Sequence, residues 1–232
     1  VMPSNAPAIK VRRVAGDDAE IVTVGPASEE RRIVAERIAR ERGLAIIPPY
    51  DDDRIIAGQG TVGLEIVEEV PDVALVLVPI GGGGLASGVA SAVKALSPGT
   101  RVVGIEPELA ADARESLRTG RIVAWSAEDV SRTIADGTRT QSLGARTFAH
   151  LAAHLDDVVT VSEAEIAAGV RLAAEESRLV VEPSGALTIA ALAYRARELG
   201  LVPGETRPVV AVVSGGNVDP ERYRELLAAP FP

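Results

Sequence analysis

The sequence predicts an α/β fold in which a parallel-rich sheet is flanked by helices, and three observations predict it. Short runs rich in Val, Ile and Leu alternate along the whole chain with longer stretches of helical period, the order that βαβ units produce. The strongest runs, Ala74 to Val78 and Pro208 to Val213, are apolar throughout, as strands covered on both faces are. A glycine cluster follows each of them, where an open parallel sheet receives its ligands.

The elements follow in order. Val1-Met2-Pro3-Ser4 reads as the end of a strand running into a helix N-terminus, as if the chain opened inside a domain. A helix near Ala6 to Val14, a strand Glu20 to Val24, a helix Ser28 to Arg42 and a strand Leu44 to Ile47 make an early set. Pro48-Pro49-Tyr50-Asp51-Asp52-Asp53 continues neither a helix nor a strand. A domain boundary is expected there, with residues 1–52 as the remnant of a small α/β domain and 53–232 as a large domain. A helix from about Ile55 to Val70, the strand Ala74 to Val78, four glycines, a helix to about Leu96 and a strand Arg101 to Ile105 then form one βαβ unit. Ser142 to His154 is expected to be helical and Val158 to Val161 a strand, and Ser162 with Glu165 makes a capping box that opens the next helix. Ser184 to Leu199 reads as a helix and Pro208 to Val213 as a strand. Ser214-Gly215-Gly216-Asn217 then turns the chain into a last helix near Glu221 to Ala228.

Composition narrows the function. Among 232 residues, 47% hydrophobic and 25% charged, the apolar runs are too short for a bilayer span. A net charge of −9 with interspersed basic residues disfavours nucleic-acid and anionic-membrane partners. The absence of cysteine removes disulfides and thiolate chemistry. No secretory leader precedes the first strand, so the cytoplasm is the expected compartment.

The chemistry is expected at the glycines. Gly81-Gly82-Gly83-Gly84 follow a strand and open a helix. Without Cβ atoms their N–H groups can converge on one point, and the helix dipole adds positive potential, which suits a phosphate. Gly81-x-Gly83-x-x-Ala86, with Glu106 closing the next strand, also satisfies a dinucleotide fingerprint, which would make the protein an NAD(P)- or FAD-dependent oxidoreductase. Pro79-Ile80 between strand and glycines spoils the tight turn that a pyrophosphate needs. A non-catalytic phosphate-binding module is a third alternative. Ser214 heads the second cluster, where a hydroxyl can bond a ligand's ring nitrogen or simply start a helix.

Four motifs fall in one order: AGQGT (Ala57 to Thr61), PIGGGGLASG (Pro79 to Gly88), TIADG (Thr133 to Gly137) with VEPSGA (Val181 to Ala186), and SGGN (Ser214 to Asn217). With MPSNAPAIK (Met2 to Lys10) they make nearly the whole chain resemble the serine/threonine dehydratases and serine racemases. These are fold-type II pyridoxal-phosphate enzymes with a tryptophan-synthase-β-like fold. The resemblance implies that Gly81, Gly82, Gly83, Gly84 and the Leu85 amide hold the phosphate of pyridoxal 5'-phosphate and that Ser214 bonds its pyridine nitrogen. It also implies that Glu182 and Tyr50 lie near the cofactor. A neutral serine makes the ring a weaker electron sink than an aspartate partner would, which favours loss of a β-leaving group.

The implied reaction is β-elimination of L-serine or L-threonine to a 2-oxo acid and ammonia, with serine racemase activity as an alternative outcome, in a homo-oligomer. Glu106, the Ala110 carbonyl and Asp112 are hard oxygen donors, and the resemblance implies that they bind Mg²⁺ or Ca²⁺. Lys10 and Lys94 are the only lysines, and neither sits in the family's Ser-x-Lys context, so the Schiff-base lysine is expected upstream of Val1 and the 232 residues alone are expected to be inactive. His150 and His154 read as surface histidines, and Trp125 is assigned no chemistry.

Overall fold

The computed structural model describes residues 1–202, 204 and 206–232. Near the N-terminus β1 (Met2–Pro3) pairs in parallel with β2 (Thr23–Val24), connected through α1 (Ala8–Gly16) and followed by α2 (Ser28–Arg42). The expected strand Leu44 to Ile47 does not form, because β1 and β2 pair only with each other and leave it no ladder to join. Its apolar side chains stay open to solvent, Leu44 at 55% and Ile47 at 79%.

The main sheet comprises β3 (Leu75–Pro79), β4 (Arg101–Pro107), β5 (Asp157–Val161) and β6 (Val209–Ala211), in the spatial order β5-β4-β3-β6 and all parallel. Successive side chains of β3 enter different cores, which explains why the run is apolar without alternation. Val76 and Val78 pack with Val89, Val93 and Leu151 on one face. Leu75 and Leu77 pack with Ile105, Ile166 and Leu187 on the other. The first face is covered by α3 (Asp53–Glu69), α4 (Gly84–Leu96) and α7 (Ala145–His154). The second is covered by α8 (Glu163–Ser177) and α9 (Leu187–Tyr194).

The AGQGT segment lies inside α3, where Gly60 faces α4, a Cβ there falling 3.3 Å from the Gly88 oxygen, while Gly58 faces open space. A Cβ on Gly88 of α4 would stand 2.4 Å from the Ile56 carbonyl oxygen, and one on Gly63 would stand 2.7 Å from that of Val89. Two backbones this close admit no side chain between them. The contact seats the start of α4 at the carboxyl end of β3.

Two short helices were not anticipated, α5 (Asp112–Thr119) and α6 (Ala127–Val130). The expected helix Ser184 to Leu199 is instead a tight turn over Pro183–Ala186 that leads into α9. Pro183 and Gly185 shape that turn, and Gly185 lies so close to Gly215 that a Cβ there would be 2.5 Å from the Gly215 oxygen. Ser162 accepts from the Glu165 amide while Glu165 accepts from the Ser162 amide, so the capping box opens α8 as expected. The chain ends in α10 (Pro220–Leu227). Among the described residues no helix is long and apolar enough to cross a membrane.

Candidate active site

After β3, the Ile80 amide still donates to the Ile105 carbonyl at 2.9 Å, and the glycine loop then departs. Gly83 adopts φ +89°, a left-handed conformation that a side chain would strain. Gly82, Gly83, Gly84 and Ala86 are buried, yet the amides of residues 81–86 donate to no acceptor among the described residues. The opening of a helix leaves its first amides free, but here the run extends back through the loop. Buried N–H groups without partners are rare, and this row of donors at the positive end of α4 could hold an anion.

Tyr50 closes over the loop. A Cβ on Gly82 would fall 2.2 Å from its ring, and one on Gly84 would fall 3.0 Å from its Cβ. Burial, then the charges of Asp51 and Asp112, push the Tyr50 hydroxyl above its ordinary range. The aspartates that read as a bare crossover each hold something. Asp51 accepts from the Arg146 and Thr147 amides at the start of α7, Asp52 accepts from the Arg54 amide at the start of α3, and Asp53 pairs with Arg146 at 2.6 Å. Thr147 donates its hydroxyl to the Gly82 carbonyl at 2.8 Å, a contact that sequence reasoning missed.

The remaining motifs meet beside the loop. A Cβ on Gly81 would be 3.3 Å from the Gly137 oxygen, and the Gly137 amide donates to Ser184 Oγ at 2.8 Å. The Glu182 amide donates to the Gly215 carbonyl, and Glu182 Oε1 presses on Gly215, 2.4 Å from where a Cβ would be. The neighbouring Ser214 is exposed, and its hydroxyl has no protein partner among the described residues. Gly81 to Gly84, Leu85, Tyr50, Glu182 and Ser214 therefore gather at the carboxyl ends of β3 and β6. Lys10, which carried no role in the sequence, reaches in from α1 with Nζ 2.6 Å from Asp136 and 3.1 Å from Glu182. A cleft of about 280 Å³ opens beside Lys10 and Asp136, lined also by Arg31, Gly137 and Arg139 but not by the glycine loop, Tyr50, Glu182 or Ser214. The Arg31 guanidinium donates to Ser28 and that of Arg139 to the Thr133 carbonyl. Neither meets a carboxylate among the described residues.

The acids of the expected metal set form a separate cluster. Glu106, 1% exposed, accepts from the Ala113 and Arg114 amides and so caps α5 from the end of β4. Asp112 Oδ2 is buried without a hydrogen bond, and the carbonyl of buried Ala110 accepts none among the described residues. Burial first, then the Asp112 charge, hold Glu106 well above the usual carboxylate range. Burial, with a contribution from Glu115, pushes Asp112 up to about 7. Among the described residues no group of three or more His, Cys, Asp or Glu side chains could hold a metal ion. His150 Nδ1 lies 3.0 Å from Ser91 Oγ, Trp125 Nε1 donates to Glu115, and Lys94 is held by Asp156 at 2.7 Å.

Residues 1–215 match the family described as pyridoxal-phosphate dependent enzyme. The chain is 42% identical over 228 residues to the L-threo-3-hydroxyaspartate ammonia-lyase of Saccharomyces cerevisiae, covering 98% of this chain and 68% of that relative. It is 38% identical over 228 residues to the serine racemase of Schizosaccharomyces pombe, with the same two coverages. Among solved structures, maize serine racemase superposes with a TM-score of 0.85 at 36% identity, over 97% of this chain and 68% of that one. A T.th. threonine deaminase gives 0.82 at 44% identity, over 94% and 69%. The oxidoreductase alternative finds no support among these relatives. A buried row of free amides at a strand's carboxyl end, met by the three other motifs, agrees with the relatives in sequence and in structure: the chain belongs to the pyridoxal-phosphate dependent enzymes, alongside ammonia-lyases and racemases.

Proposed function

We propose that the protein removes ammonia from a β-hydroxy amino acid, serine, threonine or 3-hydroxyaspartate, and releases a 2-oxo acid, with racemisation at Cα as the competing outcome. The observation that carries this reading is the row of unpartnered amides from Gly81 to Ala86, four of them in buried residues, with the Ser214 hydroxyl free at the neighbouring strand end. Pyridoxal phosphate, when bound, supplies the electron sink for the negative charge left at Cα.

The chain's own residues would divide the work. The Gly81, Gly82, Gly83, Gly84 and Leu85 amides grip the phosphate, while the Tyr50 ring shields it from water. Ser214 donates to or accepts from the ring nitrogen without adding charge, and Glu182 lies beside that turn. Arg31, half-buried in the cleft without an acidic partner, receives the substrate carboxylate. Loss of the Cα proton and the β-hydroxyl removes water, and hydrolysis returns water and frees ammonia. Lys10 and Lys94 are both held in ion pairs, so neither lysine side chain is free to bear the cofactor or take the Cα proton.

Glu106, the Ala110 carbonyl and Asp112 are our candidates for an Mg²⁺ or Ca²⁺ site. Two buried acids and an unused carbonyl need a cation more than they need each other. Division into a small domain (1–52) and a large one (53–232) is supported by the two separate sheets. A cytoplasmic homo-oligomer, without nucleic-acid or membrane partners, completes the reading.

Absorption titrations with pyridoxal phosphate, NADH and FAD test the proposal. Saturable binding of the first alone is expected, and preferential binding of a dinucleotide overturns it.

A further inference from the structure

We infer that Lys10 is a positioning residue whose ammonium ties Asp136 and Glu182 together and so couples α1 to the turn that carries Ser214, rather than serving as a nucleophile. The inference rests on the cofactor reading above. Lys10 Nζ lies 2.6 Å from Asp136 Oδ2 and 3.1 Å from Glu182 Oε2, and no other cation pairs with either acid among the described residues. Its hydrogen bond goes to Asp136. Glu182 Oε2 is buried with no hydrogen bond, so the Lys10 charge is all that compensates it. The other oxygen of Glu182 is pressed against Gly215, and the Glu182 amide holds the Gly215 carbonyl at 3.0 Å.

A buried carboxylate left without its cation is expensive, and two facing carboxylates also repel. Removing the ammonium therefore pushes Glu182 off Gly215 and moves Ser214 with it. Burial opposes a charge on Lys10, but the hydrogen bond and charge of Asp136, joined by the charge of Glu182, raise the amine above its ordinary value. A protonated amine has no lone pair for nucleophilic attack.

Pyridoxamine 5'-phosphate, which has no aldehyde and needs no lysine, is the probe. Its fluorescence is titrated against the wild-type chain, Lys10→Met, Lys10→Arg, Lys10→Met with Glu182→Gln, and Gly82→Val, with thermal unfolding run on each. Lys10→Met is expected to weaken binding about 10-fold and to shift the absorption maximum of the bound ring. Lys10→Arg keeps affinity within about 3-fold, and the double variant recovers most of the loss because the uncompensated charge is gone. Lys10→Gln, which keeps a polar tip without charge, carries the same test if Lys10→Met does not fold. Wild-type affinity and spectrum in the uncharged variant, or a double variant no better than the single one, overturns the role of Lys10. Failure of the wild type to bind, or equal binding by Gly82→Val, sinks the cofactor reading itself.

Discussion

Gly82 leaves room for the ring of Tyr50 and for nothing else. A valine there would put atoms where the ring now lies, 2.2 Å from the Cβ position, and would crowd the amides that face the anion. Gly82→Val is therefore expected to lower pyridoxal-phosphate affinity by at least about 10-fold, measured by absorption titration, together with a loss of stability of about 1–3 kcal/mol from overpacking. The acids at the end of β4 give a prediction of a different kind. Asp112 rises from 3.8 to about 7 on folding, so between those values the folded chain binds more protons than the unfolded one. Stability should then fall as pH climbs through that window, by on the order of 4 kcal/mol from Asp112, and Glu106, also held well above the usual carboxylate range, deepens the fall. Millimolar Mg²⁺ or Ca²⁺ should restore the loss at neutral pH and do little near pH 4. Tm measured across pH with and without cation checks both arms, and a cation-independent profile counts against a metal at Glu106 and Asp112.

At the scale of elements, α4 is the part on which the site depends, because its first turn and the preceding loop present the amides. Its seat on α3 tolerates no Cβ, so Gly88→Ala, which would meet the Ile56 carbonyl at 2.4 Å, is expected to destabilise by about 2–3 kcal/mol in urea unfolding. Asp51 has the smaller task of capping α7 while keeping Tyr50 over the loop. Asp51→Ala should cost about 1 kcal/mol and loosen the shield over the cofactor phosphate, seen as faster quenching of bound cofactor fluorescence. The helices and strands themselves were largely legible. Ser28 to Arg42 matches α2 end to end, and the capping box at Ser162 opens α8. Leu44 to Ile47 misled because β propensity describes a surface that fits a sheet, and no neighbouring strand is present to make one. The helices α5 and α6 went unseen because each is short, although their caps are local: Glu106 accepts from amides seven and eight positions on, and Ser126 from the Asp129 amide.

The molecule as a whole is uneven. None of residues 1–52 is fully buried, whereas β3 and β4 are buried almost throughout. Hydrogen exchange should therefore be faster in α1 and α2 than in α4 and β3, with residues 1–52 opening at a lower free energy than the main sheet. Uniform protection across both parts would refute the division at residue 52. Turnover belongs to this scale too, since both lysines, in different parts of the chain, are held in ion pairs. The 232 residues alone should release no measurable ammonia from serine, threonine or 3-hydroxyaspartate in a coupled assay, even with pyridoxal phosphate present.

Sequence by itself determined the class of fold, the apolar strands and the glycine loop, because periodicity and backbone freedom are written in neighbouring residues. Tertiary structure alone decided which charges meet. Lys10 and Asp136 lie 126 positions apart, and Asp51 caps a helix 95 positions away. Parallel strands joined by helical crossovers bring such side chains to one edge of the sheet, and an electrostatic partner chosen by that geometry leaves no periodic trace along the chain.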